Sequence, residues 1–167
     1  NTLDIHNSII GEFPSGGIYT DGEENLTIDY SNIAGGQSSV VINAENLTYE
    51  NNIDEDSRFV DAVGENYSLL ASSPCINSGN PDDVDPGSTL WDVRADMGAY
   101  PYLISHEYQS WEVDGTLGND ITGDGTTGDP FASIQSALNF VGENGTIYVA
   151  EGTYVENIIW PETSSVT

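Results

Sequence analysis

Leu3-Asp4-Ile5-His6-Asn7-Ser8-Ile9-Ile10 aligns with Leu26-Thr27-Ile28-Asp29-Tyr30-Ser31-Asn32-Ile33 at an offset of 23 residues. Asn25-Leu26-Thr27 returns as Asn46-Leu47-Thr48 at an offset of 21, and Ile33 returns as Ile53. Each block reads apolar–polar–apolar, then a polar corner, then Ser or Asn and another apolar residue. Alternation with a period of two is the mark of strands. A repeat in the low twenties is too short for a packed helix pair and fits one turn of a β-solenoid. Chance matching in a β-rich chain is the competing explanation, because so few copies are present.

Beyond the repeats the character changes. Phe59-Val60-Asp61, Tyr67-Ser68-Leu69-Leu70 and Cys75-Ile76-Asn77 are short apolar islands separated by Ser72-Ser73-Pro74, Ser78-Gly79-Asn80-Pro81 and Asp85-Pro86-Gly87, all turn chemistry. Trp111-Glu112-Val113-Asp114 leads into a Gly-, Asp- and Thr-rich stretch from Gly115 to Gly128. One short α-helix is predicted near 130–141. Asp129 is its N-cap, Pro130 its first residue, Phe131, Ile134, Leu138 and Val141 its apolar face, and Gly142 its stop. Two strands come next, Thr146–Ala150 and Tyr154–Trp160, joined by Glu151-Gly152.

Two segments resemble opposite ends of secreted right-handed parallel β-helix proteins, the pectate-lyase-like superfamily. The terminal segment of that family is matched by Asn52-Ile53-Asp54-Glu55-Asp56, Phe59-Val60-Asp61, Tyr67-Ser68-Leu69, Ser73-Pro74-Cys75-Ile76-Asn77-Ser78-Gly79 and Asp96-Met97-Gly98-Ala99-Tyr100. The beginning of such a helix is matched by Gly118-Asn119-Asp120, Gly125 through Pro130-Phe131, Ile134-Gln135 and Gly152-Thr153-Tyr154-Val155-Glu156-Asn157-Ile158. The resemblance implies an all-β, right-handed parallel β-helix (a solenoid) whose helix near 130–141 caps the first coil. Residues 1–103 are then terminal coils with a closing segment, 104–110 a linker, and 111–167 the capped start of the next β-helix. The order is coils, end, linker, start. Together with Asn1 in place of an initiator Met, it suggests a window cut from tandem β-helices or one repeat of a polymer.

The composition narrows function. Two basic residues, both Arg, stand against 28 acidic ones, a net charge of −26. Nucleic acid is a poor partner, because phosphate binding needs clustered cations. Anionic membrane surfaces repel the chain for the same reason, and no apolar run has the length of a span, so no direct membrane insertion is expected. Cations and high salt are what such a surface attracts or tolerates. Apolar residues are 37% and charged residues 18%, the remainder being rich in Asn, Ser, Thr and 18 Gly, a β- and turn-rich mixture. The lone Cys75 cannot form an internal disulfide, so it is read as a buried thiol, an intermolecular bridge being the alternative.

Catalysis finds little to use. Arg58 and Arg94, the only strong cations available for a lyase, lie within the terminal motif, where stem packing and pairing with Asp is the simpler role. Paired carboxylates suit glycoside hydrolysis, but 28 acids make some pair inevitable. The hydrolase Gly-His-Gly is missing, no Gly-x-Ser-x-Gly elbow occurs, and His6 and His106 have no evident partners. Asp114, Asn119, Asp120, Asp124 and Asp129 are the candidate Ca²⁺ ligands: hard oxygen donors on a Gly-rich backbone, though without the EF-hand pattern, and a plain acidic turn loop competes. Asp82, Asp83 and Asp85 form a second oxygen-rich loop, read more simply as solvated. Asn25, Asn46, Asn66 and Asn144 head Asn-x-Ser/Thr sequons; Asn25 and Asn46 occupy equivalent repeat positions and also read as corner residues. Tyr19, Tyr30, Tyr49, Trp91 and Trp111 could line a sugar-binding face or merely decorate strands.

The favoured expectation is a non-catalytic, extracellular or cell-surface microbial module whose partners are copies of itself, stacked head-to-tail into a filament. An open strand edge invites such stacking. The expected contact joins Leu3, Ile5 and Ile9 of one unit to Val155, Ile158, Ile159 and Trp160 of the next, with Ca²⁺ as a possible bridge. The alternative is a carbohydrate-binding or carbohydrate-active module or an adhesin fragment, with a polysaccharide as partner.

Overall fold

A computed structural model describes residues 2–11, 18–20, 25–42, 46–85, 94–102, 110–141 and 144–160. The first third folds along its repeat. Strand β1 (Thr2–His6) pairs in parallel with β4 (Asn25–Asp29), which pairs in parallel with β7 (Asn46–Glu50). Leu3, Leu26 and Leu47 share one register position, and Ile5, Ile28 and Tyr49 another. Strand β2 (Ile9–Ile10) pairs with β5 (Asn32–Ile33), and β3 (Ile18–Thr20) with β6 (Val40–Ile42), again in parallel. A 3-10 turn, Gly36–Ser39, separates β5 from β6.

The corners between strands repeat too. Asn7, Tyr30 and Asn51 have left-handed φ values of 48°, 45° and 56°, a conformation that short polar side chains adopt most readily. The next residues stack by side chain onto backbone. Ser8 N donates to Ser31 Oγ at 3.1 Å, and Ser31 N donates to Asn52 Oδ1 at 2.9 Å. Asn32 Nδ2 reaches the Glu55 carbonyl, Ser57 Oγ and Cys75 Sγ, tying the repeats to the turn-rich segment after them. Cys75 is a free, buried thiol, and burial pushes its pKa up.

The parallel β-helix expected of the whole chain is not what these residues build. They form one three-stranded and four two-stranded sheets that remain separate, and no sheet closes or winds on as a solenoid. The strands are two to five residues long. After Ile53 parallel pairing gives way to an antiparallel pair, β8 (Phe59–Asp61) with β9 (Asn66–Leu69). Residues 71–85 and 94–102 form no strand, because their turn-rich sequence directs backbone N–H groups to side chains. Asn77 N and Tyr102 N both donate to the Asp96 carboxylate.

Strand β10 (Ser110–Val113) pairs in parallel with β11 (Thr146–Val149), and the only helix among the described residues is α1 (Ile134–Phe140). The helix starts later than Asp129-Pro130 suggests. Phe131 is taken by strand-like pairing, its N–H donating to the Glu112 carbonyl and its carbonyl accepting from Asp114 N. Ser133 becomes the N-cap and accepts from Ser136 N. Gly142 lies outside the described residues. The predicted strand at Tyr154–Trp160 is not formed either. Glu156 turns inward and accepts Ile134 N and Gln135 N, one on each carboxylate oxygen at 2.9 Å. The Gln135 side-chain amide then exchanges two hydrogen bonds with the Ile159 backbone, taking the place of a neighbouring strand.

Three apolar clusters hold the molecule. Leu26, Ile28, Ile33 and Val40 fill the repeats; Leu69, Cys75, Ile76 and Met97 the middle; Trp111, Val113, Phe131, Ala137, Leu138 and Val141 the last. Tyr102 and Phe140 pack against both of the latter two, with ring centroids 5.5 Å apart. Polar bonds join the stretches on either side of residues 103–109. Ala71 N donates to the Asp120 carbonyl, and Asn139 Nδ2 to the carbonyls of Ala71 and Ser73. The predicted linker 104–110 lies, except for Ser110, outside the described residues.

Gly125 shows how tight the last cluster is. Its φ is +74°, and an added Cβ would stand 2.6 Å from Trp111 Cε3 and 2.7 Å from Phe131 Cε2. Gly125→Ala is therefore expected to destabilise the fold by about 1–3 kcal/mol through overpacking and a strained backbone. Denaturant unfolding measures this; a neutral result would show the two rings to be free to move aside.

Candidate functional site

Among the described residues β1, β2 and β3 each have a strand partner on one side only, and always the later repeat. One end of the stacked repeats is therefore a row of free strand edges. Side-chain burial shows the consequence. Leu26 is 1% exposed, whereas Leu3, at the same register position but with no further described strand beside it, is 44% exposed. Ile28 is fully buried while Ile5 is half-buried. Leu3 and Ile5 lie on that edge, whereas Ile9 is half-buried and packs against the cluster of Leu69, Cys75, Ile76 and Met97.

Ile9 also opens into a groove of about 490 Å³ lined by Phe59, Tyr67, Leu69, Met97 and Tyr100, with Asn7 and Ser8 at its polar side. Phe59 and Tyr67 meet edge to face at 5.5 Å. Among the described residues that line it the groove has no carboxylate, unusual in so acidic a chain. Its walls are built by backbone contacts: Gly98 N donates to the Asn7 carbonyl at 2.7 Å, and Asn7 Oδ1 accepts from Asn80 N at 2.6 Å. Sequence pattern does not mark these aromatics as a site. Their only signal is membership of the terminal motif, which reads as closing structure.

The other predicted contact residues are on the surface as well. Val155 is 94% and Trp160 61% exposed, and Ile158 and Ile159 are exposed beside them. Three residues of the expected aromatic face, Tyr30, Tyr49 and Trp111, have described side chains. Trp111 is a core residue stacked on Phe131 at 6.0 Å, Tyr30 lies under the Arg94 guanidinium at 5.6 Å, and Tyr49 is half-buried. The Tyr19 side chain, Trp91 and His106 lie outside the described residues.

Four of the five candidate Ca²⁺ ligands, Asp114, Asn119, Asp120 and Asp124, accept backbone N–H groups through their side chains. Asp114 Oδ1 accepts from Thr116 N and Leu117 N, which lowers its pKa. Asn119 Oδ1 accepts from Ile121 N and Thr122 N, and Asp124 Oδ1 from Thr126 N. Asp120 Oδ1 accepts from Ala132 N, Ser133 N and Ser136 Oγ, so it anchors the start of α1. Asp129 N closes a turn on Thr126. Among the described residues no three His, Cys, Asp or Glu side chains gather as a metal centre. In the second acidic loop, Asp83 Oδ2 accepts from Asn7 Nδ2 and the Asp85 carboxylate from Asp96 N, while Asp82 N donates to Asn80 Oδ1. Of the sequon residues, Asn25 and Asn46 are register partners joined side chain to side chain at 3.0 Å; Asn66 and Asn144 are exposed.

Among the described residues Arg58 and Arg94 donate to backbone carbonyls and to no Asp side chain. Arg58 Nη1 donates to the Ser72 carbonyl, and Arg94 Nε and Nη2 to the Gly79 carbonyl. Asp96 is the most perturbed acid: burial pushes its pKa up to about 7, against the two N–H groups it accepts. Tyr102 is pushed up to about 12 by burial first and then by Asp120, Asp129 and Asp124. No described helix is long and apolar enough to cross a membrane.

No family model, curated protein or solved structure matches the chain. The likeness to the pectate-lyase-like superfamily rests on the quoted motifs alone.

Proposed function

We propose that this chain is a non-catalytic, extracellular structural module that associates with copies of itself through the free edge at Thr2–Ile10. The observation that carries this is the exposure step from Leu26, 1%, to Leu3, 44%, at one register position. Any strand laid on β1 would bury Leu3 as β1 itself buries Leu26, and apolar area removed from water stabilises by about 25 cal/mol per Å². Free edges of this kind are pairing templates unless they are covered. The net charge of −26 opposes association at low salt and is screened at high salt.

Sedimentation velocity and negative-stain electron microscopy over a range of concentration and salt test the reading, in Ca²⁺ and then in chelator. Regular multimers that grow with salt and vanish in Leu3→Asp are expected. Since Leu3 is exposed, that substitution leaves the fold intact by thermal melting. Monodisperse monomers under every condition would overturn the proposal, and loss of multimers in chelator alone would bring Ca²⁺ into the contact.

A second reading, a carbohydrate-binding module, is favoured by the groove, with no carboxylate among its described lining residues and with Tyr67 and Tyr100 exposed at its rim. Aromatic faces with few polar groups suit neutral sugars. Binding to a polysaccharide panel without self-association, lost in Tyr67→Ala, would select it.

A further inference from the structure

Resting on the self-association reading, we propose that the complementary half of the contact is the outer edge of β11, to which β1 of a second copy adds in parallel. Strand β11 pairs only with β10 among the described residues, and it repeats the exposure step seen at the other end. Val113 is 2% exposed, while Val149, its register partner, is 44% exposed. Each sheet thus ends on a strand whose inward apolar position lacks a cover. Both sheets are parallel throughout, so the order β10, β11, then β1, β4 and β7 of the next copy keeps one strand direction.

Setting Leu3 beside Ile147 and Ile5 beside Val149 brings the inward apolar positions of the two edges together. The same register sets Asp4 beside uncharged Tyr148 and His6 beside Ala150, so no carboxylate faces Asp4 across the seam. Charge argues against the alternative in which two β1 edges meet, because it would bring both Asp4 carboxylates onto one seam of a chain carrying −26. The proposed contact uses different surfaces on each copy, so it propagates into an open polymer unless its rotation closes a ring.

Cysteine cross-linking of the full chain tests the pairing, with Asp4→Cys and Tyr148→Cys as probes; neighbouring strands hold such pairs within disulfide range. The native Cys75 is buried and does not compete. On mild oxidation the double variant is expected to give a ladder of covalent multimers. A mixture of the two single variants should give dimers only, and each single variant alone should stay monomeric on a denaturing, non-reducing gel. Disulfide dimers of Asp4→Cys alone would mean that β1 meets β1, and would overturn the pairing. Multimers that sediment but do not cross-link in the double variant would overturn it as well while leaving self-association standing. A wild-type chain that never associates would remove both.

Discussion

Phe131→Ala is expected to lower the unfolding free energy by about 3–5 kcal/mol, the range for deleting a fully buried aromatic ring. Phe131 has no exposed surface and meets both Trp111, at 6.0 Å, and Phe140, at 5.5 Å, rings that are themselves 5.8 Å apart. It is also the residue whose backbone joins Glu112 to Asp114. Those backbone bonds survive the substitution, so the loss reports the cavity and the ring contacts. Because Phe140 and Tyr102 reach into the neighbouring cluster, the unfolding transition should remain a single step. Equilibrium denaturation with tryptophan fluorescence and far-UV dichroism as separate probes measures both. A change below about 1 kcal/mol would mean that the three-ring cluster is not the core of this part of the molecule. Phe131→Leu, which keeps most of the volume, should give a much smaller loss.

Stability is expected to fall as pH rises from about 4 to about 7. Asp96 is buried without a cationic partner in its hydrogen-bond set, and its folded pKa is pushed up to about 7 from an ordinary 3.8. In that window the folded chain holds a proton that the unfolded chain has already released. The protonated carboxyl therefore favours the fold at pH 4, and the advantage is lost as pH passes the folded value. The full effect of one such group is of the order of 4 kcal/mol, at 1.4 kcal/mol per pKa unit. Asp85, whose carboxylate accepts Asp96 N, is also shifted upward by burial and adds to the same trend. Self-repulsion among the 28 acids has the same sign, so Asp96→Asn separates the causes. It should flatten most of the slope between pH 4 and 7, at the loss of one accepted N–H. A wild-type stability independent of pH in that range would rule out a buried, neutral Asp96.

Where local pattern decided the outcome, the sequence was readable. The offsets of 23 and 21 residues are the parallel registers Leu3 to Leu26 and Asn25 to Asn46, because alternation dictates which side chains share a face. Of the residues expected at the contact, Leu3, Val155, Ile158, Ile159 and Trp160 are exposed, while Ile5 and Ile9 are half-buried. The extension of that pattern to a complete β-helix failed because each sheet stops after two or three strands. Turn-forming segments such as 71–85 bond through side chains such as Asp96 and Asn139, and these have no sequence period.

Long-range competition settled the remainder. Asp129-Pro130 is a good local helix start, yet pairing of Phe131 with Glu112 and Asp114 prevails over it and moves the helix to Ile134. Tyr154–Trp160 alternates like a strand, but Glu156 is drawn to the start of α1 and Gln135 takes the Ile159 backbone. Asp114, Asn119, Asp120 and Asp124, candidate ligands by their spacing, accept backbone N–H groups of turns and of the start of α1. The groove of Phe59, Tyr67, Met97 and Ile9 joins residues up to 88 positions apart. By itself the sequence determined strand propensity, repeat register and the acidic charge, properties of composition and of neighbouring residues. Tertiary structure alone decided which backbone groups found partners and which edges were left without one, because that depends on contacts between segments far apart in the chain.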